Sequence, residues 1–157
     1  MKQAFCYETE LGKVVIVENG MAVTQLYFGE EISEGVTINE TPLLKKAYQE
    51  LEEYLEGKRK SFDLPLSPEG TVFQKKVWQA LQSIPYGAVC CYKDIAIAIG
   101  NEKASRAVGG ANHHNPIAIV IPCHRVIGSN GAMVGYAGGV DLKEKLLELE
   151  KNAIRND

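Results

Sequence analysis

One short stretch of this chain combines a nucleophile, a base and a fixed positive charge: Ile119-Val120-Ile121-Pro122-Cys123-His124-Arg125-Val126. A free thiol has a pKa near about 8.5, so only a few per cent is thiolate at neutral pH. A neighbouring imidazole or guanidinium is what turns such a group into a nucleophile, and His124 and Arg125 follow Cys123 directly. On composition alone a buried structural cysteine is the commoner reading of Cys123, and the surrounding motif reverses it. A cysteine hydrolase would need its histidine far away in sequence together with an oxyanion hole. No Gly-Cys or Gln-Cys elbow is present to suggest one.

The other candidate ligands and thiols are less promising. His113-His114 invites a metal site, but Cys6 and three clustered histidines do not make a tetrahedral set at usable spacing, so no metal and no cofactor are expected. Cys90-Cys91 reads as core packing rather than a redox pair. Four cysteines without a spaced framework suit a reducing compartment.

A second informative stretch is Lys103-Ala104-Ser105-Arg106-Ala107-Val108-Gly109-Gly110-Ala111. A helix that reads sequence in the major groove carries long polar side chains. This one offers a single Arg among Ala, Ser and Gly, so its backbone can lie close to a narrow groove while reading almost nothing. That pattern suits minor-groove contact, with Arg106 wedged where a base leaves the stack. A tightly packed core helix is the bland alternative, in which Gly-Gly would merely weaken the helix. The DNA-facing set is then Ala104, Ser105, Arg106 and Gly109, with Lys93 and Asn101 just before them.

Charge supports this division. The whole chain of 157 residues has a net charge of −3. Residues 1–70 hold 7 Lys/Arg against 13 Asp/Glu, whereas residues 71–139 hold 6 against 2. A basic middle behind an acidic first part is compatible with contact to DNA through the middle. With few phosphates to neutralise, the salt dependence of binding should be modest.

The elements that must position these residues fall into two lobes, 1–69 and 70–157. Residues 4–9, 13–18 and 21–28 read as strands, with Asn19-Gly20 as a two-residue hairpin turn. Thr41-Pro42 opens a helix with Leu44, Tyr48, Leu51 and Leu55 on one stripe, stopped by Gly57. Residues 58–70, with Pro65 and Pro68, read as a linker. In the second lobe Thr71 caps a helix carrying Phe73, Val77, Trp78 and Leu81. Residues 93–99 and 102–112 form two short helices across Gly100-Asn101, a helix-turn-helix pattern. Residues 117–121 read as a buried strand ended by Pro122. Gly128-Ser129-Asn130-Gly131 and Gly138-Gly139 punctuate a wing-like loop, and Asp141 caps a last helix with Leu142, Leu146, Leu147 and Leu149.

Pro122-Cys123-His124-Arg125-Val126 resembles the active-site motif of the O6-alkylguanine-DNA alkyltransferases. Phe73-Gln74-Lys75-Lys76-Val77-Trp78, Ile84-Pro85-Tyr86-Gly87, Ser105-Arg106-Ala107-Val108-Gly109-Gly110-Ala111, Asn115-Pro116 and Gly135-Tyr136-Ala137-Gly138-Gly139 resemble the same family in the same order. The likeness runs from about residue 70 to 150, and the first lobe is similar in outline only. It implies an α+β fold, with a small strand-rich, ribonuclease-H-like N-terminal lobe and a winged helix-turn-helix C-terminal lobe.

The resemblance also implies an activity: irreversible transfer of an alkyl group from O6-alkylguanine in double-stranded DNA, and more weakly from O4-alkylthymine, to Cys123. Each molecule would react once. By the same resemblance His124 takes the thiol proton through a water and is polarised by Glu150, with Glu148 a rival by register. Tyr92 would donate to guanine N3, and Asn115 would be a hinge. Val126, Tyr136 and Ala137 would line the pocket of the extrahelical guanine, with Ala118 near a bulky O6 substituent. Family members often carry Ser where Ala137 stands, so here the backbone amide alone would meet O6. Alkyltransferase-like proteins that sense lesions without chemistry lack the motif's Cys, which is present here. No apolar run approaches the ~20 residues of a membrane span and the N-terminus lacks a signal-peptide core. A cytoplasmic monomer without membrane contact is therefore expected.

Overall fold

The computed structural model describes residues 1–155. Its contacts divide the chain into two compact units, residues 1–69 with 116–118, and residues 70–115 with the chain from 119 onward. The short segment 116–118 thus belongs with the first unit although it lies deep in the second half of the sequence.

The first unit is a four-stranded sheet with one helix. Strands β1 (Gln3–Thr9), β2 (Gly12–Glu18), β3 (Val23–Phe28) and β4 (Thr37–Ile38) lie in the order β3-β2-β1-β4. β1 pairs antiparallel with β2 and parallel with the short β4. β2 lies inside the sheet, and its Val14 to Glu18 are all buried. That explains an unbroken apolar run where a half-exposed strand would alternate. Val15 and Val17 pack with Ala4, Cys6, Tyr27, Ile32 and Val36.

The connection after β2 is longer than expected. Glu18 pairs with Val23, so four residues rather than Asn19-Gly20 alone make the turn. Asn19 Oδ1 accepts from the N–H groups of Met21 and Ala22, which is the side-chain-to-backbone bonding that lets Asn build a wider loop. Helix α1 (Pro42–Leu55) starts as its sequence demands, with Thr41 Oγ1 accepting from Leu44 N–H and Pro at the first position. It ends where Gly57 takes φ 77° and the N–H groups of Gly57 and Lys58 reach back to Tyr54 and Glu53.

The second unit is helical: α2 (Val72–Leu81), α3 (Tyr92–Ala98), α4 (Ser105–His113) and α5 (Val140–Arg155). Thr71 and Gln74 close a capping box at the start of α2, and Trp78 Nε1 donates to the Ala111 carbonyl, tying α2 to α4. Gly100 at φ 82° makes the turn between α3 and α4. Helix α5 begins at Val140, so Asp141 lies in its first turn rather than before it.

The expected strand over 117–121 does not form. Ile117 makes one isolated bridge with Leu26, and Ala118 N–H donates to Leu26 O at 3.0 Å. Then the chain turns, with buried Ile119 at φ 71°. A β-branched residue rarely adopts that conformation, which costs about 1–3 kcal/mol and persists only where its surroundings impose it. No helix is long and apolar enough to cross a membrane among the described residues.

Candidate active site

Pro122 sets the direction of the thiol. Its φ of −81° and ψ of 63° are those of an inverse γ-turn, and Cys123 N–H donates back to Ile121 O at 2.8 Å. The chain passes from there into a single 3₁₀ turn, Cys123–Arg125. Cys123 therefore sits at the start of a helical turn, not at the end of a strand. The same Ile121 carbonyl accepts from Asn115 Nδ2 at 2.8 Å, so Asn115, just past the end of α4, fixes the γ-turn from outside. The Asn115 side chain also hydrogen-bonds the Cys123 sulfur, in the sense that favours thiolate.

Past the turn, Val126 is extended and forms a parallel bridge with Cys90: Cys90 N–H donates to Arg125 O and Ile127 N–H to Cys90 O. This bridge holds the start of α3 beside the reactive turn. Cys91 caps α3, its N–H and Sγ both donating to Asp94 Oδ2 at 2.9 and 3.3 Å. Tyr92 is the next residue, and its ring lies over Gly109 of α4, where an added Cβ would stand 3.4 Å from Cε2. Burial pushes the Tyr92 phenol up, a hydrogen bond from Asn112 opposes that, and proximity to Cys123 adds to it. Burial also pushes the Cys90 thiol up to about 11, which makes it a packing group rather than a nucleophile at neutral pH.

His124 and Glu150 form the innermost pair. His124 Nε2 lies 2.7 Å from Glu150 Oε2, and both side chains are fully buried. Against a carboxylate Nε2 must carry the proton, which leaves Nδ1 as the basic nitrogen. Burial holds the imidazole below its ordinary pKa, and Glu150 works against that. The ring is therefore neutral at pH 7 and able to take a proton. Glu150 also accepts from Arg125 Nε at 2.9 Å, Arg125 Nη2 at 3.0 Å and Gly87 N–H at 3.0 Å. Arg125 completes its fork on Ile84 O at 2.8 Å and lies over the Tyr86 ring. Glu148, by contrast, is exposed on α5.

Lys143 is a site residue that the sequence reading passed over. It is fully buried, and Nζ donates to Val126 O and, at 3.1 Å, to Val134 O. Its charge acts on Cys123. Burial pushes that thiol up, while Asn115 and then the Lys143 ammonium pull it down. The net effect is upward, so the resting pair is a thiol beside a neutral imidazole. The signal was present in α5, where Lys143, Leu146 and Glu150 repeat at helical spacing and form its buried stripe.

The remaining candidates divide by place. Tyr136 is buried, and its phenol is pushed well up by burial and then by Cys123 and Glu150. Val126 is buried and Ala137 exposed. Arg106, Lys93 and Asn101 are exposed around the helix-turn-helix, and Ala104, Ser105 and Gly109 are half-buried. Ala118 falls in the first unit. Among the described residues no three His, Cys, Asp or Glu side chains are grouped to hold a metal ion.

Two family models match the chain. Residues 72–152 match the DNA-binding domain of 6-O-methylguanine DNA methyltransferase, and residues 5–68 its ribonuclease-like domain. A methylated-DNA–protein-cysteine methyltransferase of Methanosarcina barkeri is 49% identical over 152 residues, covering 94% of this chain and 96% of its own. The constitutive enzyme of that name from Bacillus subtilis is 48% identical over 152 residues, covering 92% of each chain. The crystal structure of Mycobacterium tuberculosis OGT in complex with DNA superposes with a TM-score of 0.90 at 42% identity, over 96% of this chain and 94% of that one. With both lobes matched, the chain belongs to the 6-O-methylguanine DNA methyltransferase family.

Proposed function

We propose that this protein repairs DNA by direct reversal, moving the alkyl group of an O6-alkylguanine onto Cys123. The observation that carries this reading is the buried His124–Glu150 pair at 2.7 Å, whose histidine immediately follows a buried thiol in the chain. The thiol proton passes to His124 Nδ1 through one water, and the imidazolium so formed is stabilised by the carboxylate on its other nitrogen. Sulfur attacks the alkyl carbon opposite O6. The S–C bond forms, the C–O6 bond breaks, and its electron pair leaves as a guanine anion. That anion takes up the proton held by His124, so the products are S-alkylcysteine and guanine. Lys143 offsets the negative charge on sulfur as the proton leaves. Tyr92 donates to guanine N3, where part of the leaving group's charge resides.

The base reaches this site out of the helix. The thin, small-residue face of α4 enters the minor groove, Arg106 fills the gap in the stack, and Ala104, Ser105, Gly109, Lys93 and Asn101 meet the backbone. Val126, Tyr136 and Ala137 enclose the base. A pyrimidine fills less of the space they enclose, so O4-alkylthymine reacts more weakly. A thioether has no good leaving group, hence each molecule reacts once. The protein acts as a monomer, and four free thiols suit the cytoplasm.

The test is mass spectrometry after mixing with an O6-methylguanine duplex. The protein gains one methylene on the peptide carrying Cys123, and Cys123→Ala gains nothing yet still binds DNA. A methyl group found on Cys6, Cys90 or Cys91 instead overturns the assignment.

A further inference from the structure

Asn112 is a polar side chain on the buried face of α4, 4% exposed. It stands one helical turn beyond Gly109, the position over which the Tyr92 ring lies, and residues three apart on a helix share a face. Asn112 is the hydrogen-bonding side chain that acts on the Tyr92 hydroxyl, holding the phenol down against the effect of burial. Asn112 Oδ1 is buried and has no hydrogen-bond partner among the described residues. The amide therefore meets Tyr92 through its other atom, Nδ2, which can only donate. A hydroxyl whose oxygen is engaged as acceptor has its own single proton left to give elsewhere. A leucine of similar size would fill this place without leaving a carbonyl unsatisfied, so the fold carries Asn112 against its own stability. Groups kept on those terms beside a reactive centre call for a functional account.

We infer that Asn112 is a positioning residue: by donating to the Tyr92 hydroxyl oxygen it turns the hydroxyl proton toward the base that leaves Cys123. This rests on the reading of Tyr92 as the donor to guanine N3. As the C–O6 bond breaks, negative charge spreads through the purine to N3, so that hydrogen bond strengthens in the transition state and speeds the step. The Nδ2–H bond polarises the hydroxyl in the same direction. Asn112 thus acts on the departure of guanine without touching it.

The experiment uses the full chain in single-turnover reactions with two duplexes, one holding O6-methylguanine and one its 3-deaza analogue, in which C–H replaces N3. Wild type reacts about ten-fold more slowly with the analogue, the effect of one transition-state hydrogen bond. Tyr92→Phe slows only the first substrate, so that difference disappears. Asn112→Leu and Asn112→Asp do the same: the methylguanine rate falls by about ten-fold and the 3-deaza rate stays, collapsing the ratio toward one. The Asp variant keeps the shape of the side chain, but its carboxylate accepts the hydroxyl proton and reverses the bond. It carries the test if the Leu variant does not fold. A wild type that reacts equally with both duplexes defeats the Tyr92 reading, and this inference with it. A wild-type penalty that both Asn112 variants retain, or an equal slowing on both substrates, defeats the inference alone and leaves Tyr92 as donor.

Discussion

Replacing Glu150 by Gln tests whether the innermost network supports both the fold and the chemistry. The carboxylate accepts from His124 Nε2 at 2.7 Å, Arg125 Nε at 2.9 Å, Arg125 Nη2 at 3.0 Å and Gly87 N–H at 3.0 Å. An amide of the same shape keeps one oxygen and turns two N–H donors toward the remaining donors. Arg125 then remains charged and nearly buried without its counter-charge, and breaking such a pair costs about 3–5 kcal/mol. At roughly 2–4 °C per kcal/mol for a chain of this size, the melting temperature falls by about 6–20 °C. The same change reverses the hydrogen bond to His124. Its Nε2 must now accept, the proton moves to Nδ1, and the ring can no longer take a proton from the thiol. A wrong tautomer of this kind slows transfer by about 10²–10⁴-fold.

Two assays separate the effects. Circular dichroism on heating reads the first, and single-turnover methyl transfer from an O6-methylguanine duplex reads the second. Combining Arg125→Met with Glu150→Leu removes both charges together, so most of the stability returns while transfer stays slow. A Glu150→Gln protein that melts within about 2 °C of wild type, or reacts within about three-fold of its rate, refutes this account of the network.

Three further outcomes are expected. Burial depresses the His124 pKa, so the unfolded chain binds this proton more readily than the folded one; stability is complete above about 6.5 and declines as pH falls below it, together with the transfer rate. Denaturant midpoints that stay flat from pH 7 to 5 contradict this. At Gly110 an added Cβ meets nothing within 4 Å, so Gly110→Ala raises helix stability by about 0.5–1 kcal/mol while slowing repair in duplex DNA by crowding the groove; unchanged repair means that α4 does not approach DNA by that face. Arg106→Ala slows reaction with duplex DNA by about ten- to a thousand-fold but spares the free alkylguanine base, since only the duplex requires unstacking; equal losses on both substrates assign Arg106 another role.

Elements whose signals are local were legible in the sequence. Thr41-Pro42, Thr71 and Gly57 act through caps and turns a few residues long, and they start α1 and α2 and stop α1 where they should. The strand expected over 117–121 failed for a reason outside its own composition. Ile117 and Ala118 bond to Leu26 of a distant strand, and the chain must then reverse, which puts Ile119 at positive φ despite its β-branched side chain. A run of Ile and Val records burial, and burial is common to strands and to tightly packed turns. The two-residue hairpin failed similarly, because the Asn19 side chain makes its own bonds to Met21 and Ala22.

The reactive turn was legible in part because its members are contiguous, whereas the groups that tune it are not. Arg125 was read as an electrostatic aid to the neighbouring thiol, yet its guanidinium faces Glu150 and Ile84. The charge that does favour the thiolate comes from Lys143, and a lysine among apolar positions of a helix reads as a solvated residue unless its register is compared with Glu150. Both charges are buried because each compensates a particular polar group, Glu150 for His124 and Arg125, Lys143 for two carbonyls. Such compensation is a property of three-dimensional pairs, so spacing can nominate Lys143 and Glu150 together but cannot show what each one faces. The same holds for Asn112, whose place on the buried face of α4 follows from helical period alone, while its use depends on the Cys90–Val126 bridge that holds the start of α3 beside the reactive turn.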